Sequence, residues 1–126
     1  MDDGQRRSVG EQLALAIGAG DREALLALLA PDLDFRAMTP AKFWESCCAE
    51  EVADVVLGTW FGGDRHLDSL EQLDTDVMAD RERVGYRFRA TTPDGVTLVE
   101  QQAYLGVEAG RVTWLRIMCT GFRPTG

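Results

Sequence analysis

Three groups of residues in this sequence could do chemistry: the run Glu100, Gln101, Gln102 inside "LVEQQAYLGV", the single histidine His66, and the cysteines Cys47, Cys48 and Cys119. A carboxylate set in a strand beside amides and tyrosines suits general acid or base work when it is desolvated, because burial raises a carboxyl pKa from ~4.3 toward neutrality. His66, with a reference pKa of ~6.5, suits a general base at neutral pH. It follows "GGDR" in a loop, however, where a solvated histidine is the plainer reading. Cys119 needs a neighbouring base or positive potential to act as a nucleophile. The sequence offers neither, so a small residue lining a sheet is the plainer reading there. No metal site is expected, since the cysteines lack paired ligand spacing and one histidine does not supply the rest. "FGGD" reads as a helix stop rather than a phosphate cradle, and no cofactor is implied.

The chain that must position these groups has 126 residues, 45% hydrophobic and 27% charged, with a formal net charge of −8. That is the size and composition of one globular domain, expected over 1–126 with a flexible leader at 1–8. The acidic balance argues against a nucleic-acid partner, which would call for a basic face. No stretch approaches the ~18 consecutive apolar residues that span a bilayer, and the polar start lacks a signal peptide's apolar run, so no membrane is expected and the cytoplasm is the default. Three cysteines do not all pair, and adjacent Cys47 and Cys48 make a poor disulfide, so reduced thiols are expected. Lys42 is the only lysine among thirteen basic residues, which points to a GC-rich coding sequence.

Val9, Leu13 and Ile17 recur with helical spacing, Ser8 and Glu11 form a possible capping box, and "GAGD" stops that helix. Asp21 caps a second helix carrying Leu25, Leu26, Leu28 and Leu29, ended by "APD". "LDFRAM" alternates as a short strand, Leu33 to Met38. "TP" at Thr39 and Pro40 then reads as the start of a third helix bearing Phe43, Trp44 and Cys47, with a further helical run from Ala49 to Gly62. "HLDSLEQLD" is ambiguous, because Leu67, Leu70 and Leu73 recur every three residues. "ERVGYRFRATT", "VTLVEQQAYLGV" and "RVTWLRIMCT" are strands joined by "PDG" and "EAG". The order predicts an α+β fold with an antiparallel sheet and helices on one face.

Pro93, Asp94 and Gly95 suit a three-residue hairpin with a glycine bulge. That register sets Phe88 against Glu100, Tyr86 against Gln102 and Val84 against Tyr104, so Glu100 and Gln102 face inward and Gln101 outward. A one-residue slip reverses this and is disfavoured on the expectation that it would also turn Arg87 and Arg89 inward. Glu100 is then either a satisfied buried residue or a cavity group. For the last strand, a four-residue "VEAG" loop turns Thr113, Leu115, Ile117 and Cys119 inward. A three-residue loop turns Trp114, Arg116 and Met118 inward instead; the first set is more apolar and is preferred.

The segments "AGDREALLALLAPDLDF" and "EAGRVTWLRI", with "TPAKFWE", "WF" and "CTGFRP", resemble the nuclear transport factor 2-like superfamily, in particular its SnoaL-like branch. The resemblance implies a curved sheet wrapped around the N-terminal helices into a cone (an α+β roll), with dimerisation through the outer sheet face. It covers enzymes such as ketosteroid isomerases, epoxide hydrolases, scytalone dehydratases and polyketide cyclases, and also proteins without catalysis. The residues that ketosteroid isomerases use fall here on Leu13, Ala37 and Gln102, and scytalone dehydratase depends on two histidines where this chain has one. The expected pocket residues are therefore Trp44, Tyr86, Phe88, Gln102, Tyr104 and Cys119, with Glu100 as general acid or base and Arg36, His66 and Arg116 as polar contacts. The expected ligand is a small apolar or carbonyl-containing molecule. Two functional classes remain open: a cofactor-independent isomerase, cyclase, hydratase or hydrolase, and a non-catalytic binding or scaffold protein.

Overall fold

A computed structural model describes residues 8–125 of the chain; the leader expected over 1–8 lies outside these apart from Ser8. The elements run α1 (Val9–Ala19), α2 (Arg22–Leu28), β1 (Leu29–Thr39), β2 (Lys42–Ser46), α3 (Ala49–Ala53) continued by a π-helical segment (Asp54–Trp60), β3 (His66–Met78), β4 (Arg81–Thr92), β5 (Gly95–Glu108), β6 (Arg111–Cys119) and β7 (Arg123–Pro124). Ser8 caps α1 by accepting from the Glu11 amide at 3.1 Å. Gly20, at φ 65°, ends the helix in the left-handed conformation that glycine adopts without strain. Asp21 caps α2 through the Ala24 amide. The second helix gives way to strand at Leu29, before "APD". Pro31 falls where β1 breaks register with β6, between Leu29 and Asp34, so its missing N–H costs no ladder bond.

The sheet order is β2-β1-β6-β5-β4-β3, with β7 continuing beside β5 where β6 has ended. The neighbours are antiparallel except β1 and β6, which run parallel, so the sheet is mixed rather than the expected antiparallel meander. One face packs against the helices. It presents Phe35, Val84, Tyr86, Phe88, Val99, Ala103, Leu105, Leu115 and Ile117 to Leu13, Ile17, Val52 and Val56, all buried. Burying each large apolar side chain of this set favours folding by ~1.5–3 kcal/mol, before the entropy of ordering the chain is subtracted.

Two expectations are corrected and one ambiguity is resolved. "TPAKFWES" is a β-hairpin and opens no helix: Ala41 adopts φ 69° after Pro40, and Thr39 pairs with Lys42. The aromatic pair then behaves as strand residues do, Phe43 turning outward beside Met38 and Trp44 inward beside Ala37. The ambiguous "HLDSLEQLD" is part of a thirteen-residue strand. Its register against β4 shifts between Leu67 and Ser69 and again between Leu70 and Gln72, and each bulge adds one residue to the two-residue repeat. Leu67, Leu70 and Leu73 thus keep one face at a spacing of three, which mimics a helix in the sequence.

The second correction concerns β4 and β5. Thr92 pairs with Gly95 across a two-residue turn, so the register runs Phe88 to Val99, Arg87 to Glu100, Tyr86 to Gln101, Gly85 to Gln102 and Arg83 to Tyr104. Thr92 Oγ1 accepts from the Asp94 amide and reaches the Gly95 carbonyl, closing the turn without a bulge. Sliding β5 past β4 by one residue reverses the facing of β5 alone; Arg87 and Arg89 stay outside. The slip therefore carries Glu100 and Gln102 out to the arginines and takes only the neutral amide of Gln101 inside. A buried amide with a hydrogen-bond partner costs far less than a buried carboxylate.

Candidate functional site

A depression of about 530 Å³ on the helix-packed side of the sheet opens between the end of the π-helical segment, the β1–β2 hairpin and the chain after β6. Its walls are Trp44, Trp60, Phe61 and Phe122, with Thr39, Thr59, Arg65, Cys119, Thr120 and Arg123 supplying the polar atoms. The aromatics stack edge to face in a chain: Trp44 on Trp60 at 6.1 Å between centroids, Trp60 on Phe61 at 6.4 Å, Phe61 on Phe122 at 5.9 Å. Such contacts add about 0.5–1.5 kcal/mol each beyond area burial and hold the wall in one arrangement.

Each part of this wall has a local cause. Trp44 is fixed by its indole N–H donating to Thr39 Oγ1 at 2.9 Å, across its own hairpin. The π-helical turn widens the helix just before Trp60 and Phe61, and the Phe61 amide closes on the Val56 carbonyl. Gly62 permits the chain to leave that turn, since a Cβ there would lie 2.5 Å from the Gly58 carbonyl oxygen. After β6, Thr120 ties the tail to β5 through reciprocal bonds with the Glu100 backbone, each of 3.0 Å. Gly121, at φ 75°, lets the tail pass against Pro40, 2.8 Å from where a Cβ would stand. Phe122 is thereby delivered to the aromatic row. The Arg65 guanidinium lies 4.8 Å over the Phe122 ring, and its Nη1 donates to the Thr59 and Trp60 carbonyls at the end of the π-helical segment.

Behind this wall lies a buried polar pair, Tyr86, which was expected inside, and Gln101, which sequence reasoning had placed outside. Gln101 is 1% exposed, and its Oε1 accepts from the Tyr86 hydroxyl at 2.7 Å. Complete burial pushes the Tyr86 phenol well above its ordinary value, so it stays protonated and donates; the neighbouring Cys119 adds to the shift. Cys119 faces Gln101 across the β5–β6 pair and lines the pocket, its Sγ accepting from the Gly121 amide at 3.4 Å. The Gln101 Nε2 and Trp60 Nε1 groups are buried without a hydrogen-bond partner. Each such orphan costs about 1–3 kcal/mol.

Of the residues expected at a site, Trp44 and Cys119 line this pocket, while Tyr86 and Phe88 are core residues behind it. Glu100 lies on the opposite face, half-exposed, in an ion pair with Arg87 at 3.1 Å and beside Gln102 at 3.4 Å. The inward placement on which its acid–base role was based is therefore corrected. Gln102 accepts from Arg83 and, with Tyr104, Arg36 and Arg116, borders a second groove of about 430 Å³ on that outer face. Leu115, Ile117 and Cys119 do turn inward as preferred, across a two-residue turn at Ala109 and Gly110, with Thr113 the bulged residue. Arg116 turns outward, across from Tyr104, and pairs with Asp34. His66 has 78% of its side chain exposed and stands 3.7 Å from Asp68, away from the pocket. Sequence reasoning missed Arg65, Phe61, Phe122 and Arg123. Their only signal was proximity to "FGGD" and to "CTGFRP", segments whose partners in space are set by long-range pairing.

Among the described residues no group of three or more His, Cys, Asp or Glu side chains gathers as a metal site would require, and no helix is long and apolar enough to cross a membrane. The three cysteines are free thiols.

No protein-family model matches the sequence, and no curated protein is significantly similar to it. Solved structures are similar at the level of fold. A protein of Xanthomonas campestris pv. campestris described as a "putative polyketide cyclase" superposes with a TM-score of 0.69 and 16% identity, over 87% of this chain and 86% of that one. A nuclear transport factor 2-like protein from Burkholderia xenovorans gives 0.63 and 16%, over 88% and 86%. An LEH-like epoxide hydrolase of M. tuberculosis gives 0.64 and 13%, over 88% and 79%. The chain thus has the nuclear transport factor 2-like α+β cone fold, with its helices packed on one face of a curved, unclosed sheet. That fold hosts many unrelated activities and identifies none of them.

Proposed function

We propose that this protein binds a small, largely apolar molecule in the pocket walled by Trp44, Trp60, Phe61 and Phe122. The observation that carries the reading is a preorganised aromatic wall around about 530 Å³ of open space, a size and lining typical of small-molecule sites. Binding without turnover is favoured over catalysis because, among the described residues, no carboxylate and no imidazole lines the space. Glu100, the general acid or base of the enzymatic reading, is held outside by Arg87. An isomerase or cyclase reaction would need a proton acceptor that this lining does not supply.

A second copy of the chain is the proposed partner of the outer sheet face. Phe43, Met38 and Met118 lie in adjacent register across β2, β1 and β6 and are 53%, 51% and 58% exposed. They border the outer groove with Tyr104 and Trp114. The free cysteines support a reducing, cytoplasmic location.

Alkylation of Cys119 tests the pocket reading. In a Cys47→Ser, Cys48→Ser background, iodoacetamide should modify Cys119 more slowly when 2-naphthylmethanol is present at saturating concentration. An unchanged rate up to the solubility limit of the probe would contradict it.

A further inference from the structure

Resting on the pocket reading above, we propose that the ligand carries an anionic group, of the carboxylate class, and that Arg65 and Arg123 at the pocket rim receive it while the aromatic wall takes its apolar body. The chain has 21 acidic residues and a net charge of −8, yet among the described residues the pocket is lined by two arginines and by no aspartate or glutamate. Such a lining is the opposite of the chain's overall composition.

The state of the two arginines is the second observation. The arginines bordering the outer groove are each matched with an acid, Arg36 with Glu45 and Arg116 with Asp34. Those on β4 are matched likewise, Arg83 with Asp74, Arg87 with Glu100 and Arg89 with Glu71. Among the described residues, Arg65, Arg111 and Arg123 have no ion pair, and of these Arg65 and Arg123 line the pocket. Arg65 is nevertheless held in place: Nη1 is anchored on the Thr59 and Trp60 carbonyls and the guanidinium plane rests on Phe122. Its Nε and Nη2 donors have no acceptor among the described residues. A planar fork of donors, already oriented, is the group that carboxylates bind bidentately. Arg123 reaches the same rim from β7, whose backbone pairs with β5 while the side chain stays exposed.

The geometry also orders the ligand. An apolar ring laid between Trp44, Trp60 and Phe122 directs its polar substituent to the rim, because the wall behind it offers only Cys119 Sγ and threonine hydroxyls. Lys42, stacked 3.9 Å over the Trp44 ring, adds positive potential at the same wall. A neutral ligand of equal size would gain the aromatic contacts alone. A cationic one would face Arg65 and Arg123.

Isothermal titration with 2-naphthoate, 2-naphthylmethanol and 2-naphthylmethylammonium tests this. The carboxylate should bind about tenfold tighter than the alcohol at low salt, as one charge-assisted contact provides, and the ammonium weakest. The advantage over the alcohol should shrink toward unity at high ionic strength and in Arg123→Gln and Arg65→Gln, with alcohol binding retained. Arg123→Gln removes an exposed side chain that has no hydrogen-bond or ion-pair partner among the described residues, so it keeps the question answerable if Arg65→Gln disturbs the loop. Equal affinities for alcohol and carboxylate, with Cys119 still protected, would overturn the anion assignment and leave the pocket standing. A carboxylate advantage that survives both substitutions would overturn the assignment to these arginines. Absence of binding and of Cys119 protection with all three probes would overturn the pocket reading and this inference with it.

Discussion

Exchanging Tyr86 and Gln101 for apolar residues, singly and together, probes the strand register on which the whole site rests. Tyr86→Phe deletes the hydroxyl that donates 2.7 Å to Gln101 Oε1 and leaves that amide with no partner at either end, in a position 1% exposed. A buried polar group so orphaned costs about 1–3 kcal/mol. Gln101→Leu orphans the tyrosine hydroxyl instead, but it also removes the Nε2 group that is already unpaired, so its net cost should be smaller, about 0.5–2 kcal/mol. The double variant leaves no orphan and should lie within about 1 kcal/mol of wild type, which makes the coupling energy about 1 kcal/mol or more. Glu100→Ala serves as the internal control. It removes one half-exposed ion pair with Arg87, worth ~0.2–1 kcal/mol at most in such surroundings. Urea denaturation with linear extrapolation reads all four. Additive losses in the double variant, or a silent Gln101→Leu beside a costly Glu100→Ala, would refute the register.

Further expectations follow from other parts of the structure. The Tyr86 phenol has its pKa raised by burial, so the stability it contributes is fully present below the unfolded value of ~10 and is lost as pH rises from there toward the folded value. Stability should fall by up to ~1.4 kcal/mol per pH unit above pH ~10, and the fall should be shallower in Tyr86→Phe, read by urea titrations between pH 8 and pH 11. Ala109 and Gly110 both take positive φ, 52° and 79°, in the turn between β5 and β6, where Asn-Gly is the favoured pair. Ala109→Asn should stabilise by ~0.5–1 kcal/mol and raise the thermal midpoint by about 2–5 °C. Met38→Glu places a charge in the centre of the exposed row formed with Phe43 and Met118; sedimentation velocity should show a dimer in the wild type and a monomer in this variant, with unchanged circular dichroism. A variant that remains dimeric would remove that face from consideration.

How far the sequence reaches can be seen residue by residue. Caps at Ser8 and Asp21, the glycine stop at Gly20 and the alternation of β1, β4, β5 and β6 are local signals, and the structure keeps them. "TPAKFWE" misled because Thr-Pro suits a helix start and a hairpin turn equally, and only pairing with Met38 and Ala37 decides between them. The leucine spacing of β3 misled because bulges change the period without marking the sequence. The turn "TPDGV" accommodates two registers, and the choice between them follows from where a carboxylate and an arginine are least costly, a global quantity. The pocket was legible as a property of the fold, and Trp44 and Cys119 as two of its residues. The rim arginines were not, since Arg65 and Arg123 are distant in sequence and meet only when β7 docks on β5 beside the end of the π-helical segment.

The indole N–H signals of the protein provide the most direct test, because its three tryptophans divide between the two grooves. Trp44 and Trp60 line the helix-side pocket, and Trp114 lies on the outer face between Arg81 and Arg116. In a ¹H–¹⁵N correlation spectrum of tryptophan-labelled protein, saturation with 2-naphthoate should shift the Trp44 and Trp60 indole resonances and leave that of Trp114 in place. A shift confined to Trp114, or no shift in any of the three, would contradict the central claim that this cone binds its ligand behind the Trp44–Trp60 wall.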